Sequence, residues 1–84
     1  MSAGIMEKQL LVALGTDADL VAAGCAAEDA GAVGIIVRRG PHYRGAWNWK
    51  LGSFAFTPAG YSQATVNAAS IDEAVRVTRQ IALK

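Results

Sequence analysis

Cysteine, proline and long apolar runs are scarce in this chain of 84 residues, which has one cysteine (Cys25) and two prolines. A single cysteine excludes an intramolecular disulfide and is typical of a reducing compartment. No apolar run approaches the roughly 20 residues that a membrane-spanning helix needs. Residues 1–15 lack the basic start and apolar core of a secretory signal. We therefore expect a cytoplasmic protein that does not enter a membrane.

Acidic residues are absent from residues 31–71, although the whole chain has a net charge of only +1. Residues 1–30, in contrast, hold five acids and one lysine. The positive charge is concentrated in RRGPHYRGAWNWK, residues 38–50, which we call the basic segment. Its candidate binding residues are Arg38, Arg39, His42, Tyr43, Arg44 and Lys50, with Trp47 and Trp49 as possible aromatic contacts. This uneven charge is the most informative functional signal in the sequence.

Motifs of known chemistry are also missing. The sequence has no phosphate-binding loop, no dinucleotide fingerprint and no zinc-ligand spacing. Cys25 and His42 form the only cysteine–histidine combination, but Cys25 falls among alanines with nothing to activate its thiol. Asp17 and Asp19 form a D-x-D pair that the first turn of a helix favours without any metal. We therefore predict no catalytic residue, metal or cofactor, and a Cys/His enzyme is the least favoured class.

The apolar fraction of 52% overstates the core, because 17 of the apolar residues are alanine. Eighty-four residues indicate one domain, residues 1–84, with residues 1–6 as a loose N-terminal tail. A core this small suggests help from a second copy, so a homodimer is one prediction.

The end of the chain predicts an amphipathic helix. Ser70 and Glu73 fit a capping box, in which each side chain satisfies a backbone N–H of the first turn. Apolar and small residues then recur at helical spacing and form one stripe: Ile71, Ala74, Val75, Thr78, Ile81 and Ala82.

Residues 46–57 alternate with a period of two and predict a β-hairpin. A turn at Gly52-Ser53 sets Leu51 opposite Phe54 and Trp49 opposite Phe56. Trp47 shares their face, so both tryptophans fit a core better than a platform for bases. The alternative is one long strand bent at a bulge at Gly52.

The flanking segments predict further strands and one more helix. We expect strands at residues 33–39 and 62–68, the latter with Ala64, Val66 and Ala68 inward, and a loop at residues 40–45. A helix capped by Thr16 would run to about Ala30. Residues 7–14 fit a strand better than a helix, but both readings stay open.

The predicted fold class is therefore α+β. It is a small antiparallel sheet of three to four strands with two helices packed on one face. The order is β-α-β-β-β-α, or α-β-β-β-α if residues 7–14 do not form a strand.

Two resemblances bear on function. Residues 45–51, GAWNWKL, resemble the G-x-W-R-W-R-L strand of a family of short uncharacterised bacterial domains, with asparagine and lysine in place of the arginines, and Gly60-Tyr61 fits a later GY. The helix–strands–helix order is similar to that of double-stranded-RNA-binding domains. Those domains begin the last helix with lysines, whereas Asp72 and Glu73 stand here, which counts against RNA.

The composition favours a non-catalytic binding protein that acts through the basic segment. We expect a protein partner, in the manner of an inhibitor or adaptor such as the accessory proteins of phages and other mobile elements, because arginine, tyrosine and tryptophan dominate binding hot spots. The alternative is nucleic-acid binding by the same residues. Pairing of Arg38 and Arg39 with Glu28 and Asp29 would neutralise part of this surface, and the sequence leaves that question open.

Overall fold

The computed structural model describes residues 3–83, which form one antiparallel sheet and helices packed against it. The strands follow one another in the sheet in chain order, from β1 to β5. The elements are α1 (Ala3–Thr16), α2 (Ala18–Ala22), β1 (Cys25–Asp29), a 3₁₀ turn (Gly31–Val33), β2 (Ile35–Arg39), β3 (His42–Lys50), β4 (Ser53–Pro58), β5 (Val66–Ala68) and α3 (Ile71–Ala82). The predicted α+β class is confirmed, with five strands where three to four were expected.

The core lies between the helices and one face of the sheet. Its largest fully buried side chains are Trp47, Phe54 and Phe56, and Leu10 and Leu20 reach it from α1 and α2. The tryptophan and phenylalanine rings make edge and tilted contacts, with the centroids of Trp47 and Phe56 4.9 Å apart. This aromatic cluster is the main anchor of the helical layer on the sheet.

The C-terminal helix and the last strand largely follow the sequence pattern. Ser70 is the N-cap of α3, and its Oγ accepts a hydrogen bond from Glu73 N at 3.1 Å. In the last strand, Ala68 is buried and Val66 half-buried, as predicted. The prediction for Ala64 was wrong, because β5 begins only at Val66 and Ala64 is exposed.

Residues 7–14 belong to α1, so the helix that the sequence left open is observed and the favoured strand was wrong. Leu10 and Leu14, four residues apart, are both buried, whereas Val12 between them is exposed. That spacing fits one face of a helix as well as it fits a strand. Residues 3–6 also lie in α1 and are not a loose tail, while residues 1–2 lie outside the described residues. Within residues 3–83, no helix has the length and apolarity to cross a membrane.

The predicted helix from Thr16 to about Ala30 was also wrong. Asp17, and not Thr16, is the N-cap of α2, which ends at Ala22. Gly24 follows with a φ of 80°, a conformation that favours glycine and turns the chain into β1. The alanines of β1 have high helix propensity, but pairing with β2 overrides it. Glu28 and Asp29 therefore lie on a strand and not at the end of a helix.

The hairpin of β3 and β4 is confirmed, but its register differs from the prediction. Lys50 pairs with Ser53 and Trp49 with Phe54, so the turn is Leu51-Gly52. The shift still leaves Trp47, Trp49, Phe54 and Phe56 on one face, because it preserves the period of two. Leu51, predicted to face Phe54, is fully exposed instead.

Replacing Leu51 with asparagine should stabilise the protein. Leu51 has a φ of 51° and Gly52 a φ of 82°, as in a two-residue turn with both central residues left-handed. Leucine adopts this conformation poorly and asparagine readily, and Leu51 makes no buried contact that would be lost. We expect the free energy of unfolding in urea to rise by roughly 0.5–1 kcal/mol for Leu51→Asn. Leu51→Val, which is β-branched, should lower it.

The predicted loop at residues 40–45 is mostly strand, because β3 begins at His42. Its pairing with β2 contains a β-bulge, since Val37 pairs with Gly45 but Arg38 pairs with Tyr43. Arg44 is the additional residue. The bulge interrupts the alternation of side chains at this point, and Arg44 reaches α3 on the helical side.

Candidate functional site

Two arginines of the basic segment bind the C-terminal end of α3. Arg39 Nη1 donates to Ala82 O at 2.9 Å, and Arg44 Nη2 donates to Ile81 O at 2.6 Å. The last carbonyls of a helix lack intrahelical partners and carry partial negative charge, so cations stabilise them. These two arginines therefore hold α3 against the sheet.

Arg38 lies on the other face of the sheet and forms an exposed ion pair. Its Nε lies 3.8 Å from Glu28 Oε1, and the two side chains are 44% and 58% exposed. A pair this exposed contributes little to stability. The acidic residues thus neutralise the arginines only in part: Glu28 approaches Arg38, whereas Asp29 Oδ1 accepts from Gly31 N at 2.9 Å.

The other polar residues of the basic segment are accessible. His42 and Lys50 are exposed, and Tyr43 is 43% exposed beside Arg38, its partner across the strands. His42 pairs with Arg39 and so lies on the side of the sheet that carries the helices. Tyr43, Arg38 and Lys50 therefore share one face, and His42 is separate from them.

The two tryptophans differ in their access to the surface. Trp47 is fully buried, and its Nε1–H donates to Thr78 Oγ1 at 2.9 Å. Trp49 is half-buried against Phe54, with ring centroids 4.7 Å apart. The Trp49 backbone N–H donates to Glu7 Oε2 of α1 at 3.0 Å. Trp47 belongs to the core, and only Trp49 extends toward the surface.

The sheet face away from the helices, which we call the open face, carries several small side chains between larger ones. Alternation along the paired strands assigns to it Ala26, Glu28, Ile36, Arg38, Tyr43, Ala46, Asn48, Lys50, Ser53, Ala55, Thr57 and Asn67. Ile36 and Ala46 are buried but lie outside the core that the helices form on the opposite face. Alanine carries no strong pattern that assigns it to one face of a sheet. The sequence therefore did not predict that small side chains would gather on this face.

The residues considered for catalysis are separated by strand β2. Cys25 and His42 both pair with Arg39, on opposite sides of it, so two strand spacings of about 4.8 Å divide them. Among the described residues, no group of three His, Cys, Asp or Glu side chains is placed to hold a metal ion.

Asp17 joins α2 to α3. Arg79 Nε donates to both carboxylate oxygens of Asp17 at 3.1 Å, Arg79 Nη2 donates to Oδ1, and Leu20 N donates to Oδ2 at 3.1 Å. Asp19 lies farther from Arg79, at 3.8 Å. The hydrogen bonds from Arg79 hold the pKa of Asp17 below its ordinary value, against a smaller opposing effect of burial. The D-x-D pair thus serves as a helix cap and an ion pair.

This ion pair predicts a pH-dependent difference between the protein and Asp17→Asn. A lowered pKa contributes stability that is present above the ordinary carboxyl pKa of about 4 and is lost as the pH falls through the folded value. Asparagine still caps a helix, so Asp17→Asn removes mainly the charge. We expect a lower melting temperature for the variant at pH 7 and a gap that narrows as the pH falls below the ordinary carboxyl pKa of about 4. A gap that stays constant over this range would show that the charge of Asp17 is irrelevant.

An open cleft of about 650 Å³ adjoins Asp17 and Arg79, between the end of α1 and the start of α3. Asp72, Glu73 and Arg76 also line it. Three acidic and two basic side chains therefore line the cleft, so it carries no strong charge of one sign. The open face differs, because Glu28 is the one acid assigned to it.

No family model, curated protein or solved structure matches the chain.

Proposed function

We propose that the protein is a non-catalytic binding module that contacts a protein partner through the open face, with Tyr43 as a main contact residue. The observation that carries this proposal is the one-sided packing of the sheet. The helices cover one face of the sheet, and Tyr43, Arg38 and Lys50 lie at the margins of the open face. Tyrosine and arginine are enriched in interface hot spots.

The contacts that the other basic residues make within the chain favour a protein partner over a nucleic-acid partner. Arg39 and Arg44 donate to α3, and Arg38 is shared with Glu28. Binding to a phosphate backbone depends on several free cations at once. Among the described residues of the basic segment, Lys50 is the cation whose side chain makes no hydrogen bond or ion pair within the chain. The sequence pI of about 7.9 is also low for a dedicated nucleic-acid binder.

The partner that fits this surface is weakly acidic. The open face carries two basic residues and one acid. A role as an inhibitor or adaptor in the cytoplasm, expected from the composition, belongs to the same proposal.

The proposal is tested by affinity capture from an extract of the native host with three forms of the protein: the unchanged chain, Tyr43→Ala and Gln80→Ala. Tyr43→Ala removes the exposed aromatic ring of the open face, whereas Gln80→Ala changes an exposed residue of α3 on the helical side. We expect one captured protein whose dissociation constant rises by roughly 30-fold for Tyr43→Ala and is unchanged for Gln80→Ala. Equal capture by all three forms would contradict the proposal.

A parallel titration with a mixed-sequence oligonucleotide distinguishes the alternative. Tight binding whose affinity falls steeply with salt would favour the nucleic-acid function and overturn the protein-binding one. No detectable binding at low salt would remove the alternative.

A further inference from the structure

The outer edge of β1 carries unused backbone hydrogen-bonding groups. Gly40 N donates to Gly24 O and Ala30 N donates to Gly34 O, at the two ends of the β1–β2 ladder. In an antiparallel pair these bonds alternate, so Ala26 and Glu28 bond to β2, and the N–H and C=O groups of Cys25, Ala27 and Asp29 point away from it. Within residues 3–83, no strand pairs with this side of β1.

The side chains of β1 do little to block pairing with another strand. Natural edge strands are commonly protected by lysine, proline or a bulge, whereas β1 begins with Cys25, Ala26 and Ala27 and keeps a regular register. Its two acids stand at the far end. The opposite edge of the sheet, β5, has only three residues. The edge of β1 is therefore the better site for adding a strand.

We propose that a second copy of this chain pairs with β1, antiparallel and about a two-fold axis beside Ala27. In this register Ala27 pairs with Ala27 of the second copy, and Cys25 of each chain pairs with Asp29 of the other. All outward N–H and C=O groups of these three residues then find partners. Two five-stranded sheets become one continuous sheet, and the two open faces become one surface.

Charge selects this register over its neighbours. Glu28 stands opposite Ala26 of the second copy, and Ala26 is itself the cross-strand neighbour of Arg38. A shift by two residues toward the acidic end would set Glu28 opposite Glu28 of the second copy, which is unfavourable. The opposite shift would carry Asp29 past the end of the partner strand and leave it unpaired.

The helices beside this edge add apolar surface. Both α1 and α2 pack against β1, and they expose Val12 and Val21 respectively. A two-fold axis normal to the sheet places the helical layers of both copies on the same side. The dimer therefore extends the helical layer as well as the sheet, which supplements the small core of each chain.

Substitutions at Ala26 test the register because they change the stability of the single chain and the stability of the dimer in opposite directions. In Ala26→Glu the new carboxylate faces Arg38 of its own chain, which favours the fold, and Glu28 of the second copy, which disfavours pairing. In Ala26→Lys both effects reverse. Because the two-fold axis creates two such contacts, we expect the dimer dissociation constant to rise roughly ten-fold for Ala26→Glu and to fall for Ala26→Lys.

The measurement is sedimentation equilibrium up to high micromolar concentration, with urea unfolding of the same variants as the check on folding. The expected result is a mass approaching twice 8.7 kDa, with Ala26→Glu the more monomeric variant and the better-folded one. A mass of one chain at every concentration would overturn the proposal. So would a dimer whose dissociation constant is the same in both variants.

Hydrogen exchange gives a second measurement that needs no substitution. The Ala27 amide points outward and has no partner in one chain, so it should exchange rapidly when dilute and slowly when concentrated. Ala26, bonded to β2, should be protected at both concentrations. Rapid exchange at Ala27 in a concentrated sample would contradict this interface even if a dimer forms. The result does not depend on the proposed function, because it requires no partner protein.

Discussion

Replacing Gly45 with alanine should lower the free energy of unfolding by roughly 2–5 kcal/mol, a large part of the stability of a domain this size. Gly45 has a φ of 148°. A Cβ atom there would lie 2.6 Å from Thr57 O and would also collide with the ring of Phe56. The carbonyl belongs to the backbone of β4 and Phe56 belongs to the core, so neither can move without disturbing the sheet.

Gly60→Ala is the matched control for this prediction. Gly60 also has a positive φ, 84°, but an added Cβ there meets no atom within 4 Å. It should therefore show the backbone strain alone, about 1 kcal/mol. Urea unfolding of both variants separates collision from strain, and a similar loss in the two would show that close packing at Gly45 is unimportant. Gly45 also follows the bulge residue, so Gly45→Ala should loosen the contact of Arg44 with α3.

Thr78→Val should cost about 1–3 kcal/mol, although valine has nearly the shape of threonine. Thr78 is buried in α3, accepts the indole N–H of Trp47 and donates to Ala74 O at 2.7 Å. Valine would leave the Trp47 N–H buried without an acceptor, and the cost of removing that donor from water would be uncompensated. The contact joins α3 to β3 at the centre of the core.

Thr78→Ser provides the comparison, because it keeps the hydroxyl and removes one methyl group. We expect Thr78→Ser to retain a slowly exchanging Trp47 indole proton in NMR spectra, and Thr78→Val to lose that protection. If both variants retain it, the hydrogen bond has no part in the stability of the core.

Local patterns predicted α3 and the hairpin of β3 and β4 because their signals lie within a few residues. The cap at Ser70 and the apolar stripe behind it suffice for a helix, and alternation from Trp47 to Phe56 suffices for two strands. The exact turn was harder. Leu51 at a left-handed position is unusual, so a turn at Gly52-Ser53 was the more natural reading of the same residues.

The first third of the chain and the division of the arginines depend on distant contacts. Whether residues 25–29 form helix or strand is decided by pairing with β2, which no local propensity encodes. Arg39 and Arg44 find their partners 43 and 37 residues away. A run of basic residues therefore predicted a single surface, whereas the bulge at Arg44 divides the segment between two faces of the sheet.

The central claim is that Arg39 and Arg44 stabilise the fold, whereas we propose that Arg38, Tyr43 and Lys50 contact a partner. The most direct test is the urea unfolding free energy of four single alanine variants at positions 38, 39, 44 and 50. We predict losses of about 1 kcal/mol for Arg39→Ala and for Arg44→Ala. Arg38→Ala and Lys50→Ala should stay within about 0.5 kcal/mol of the unchanged protein. Losses at positions 38 and 50 that equal those at 39 and 44 would contradict the claim.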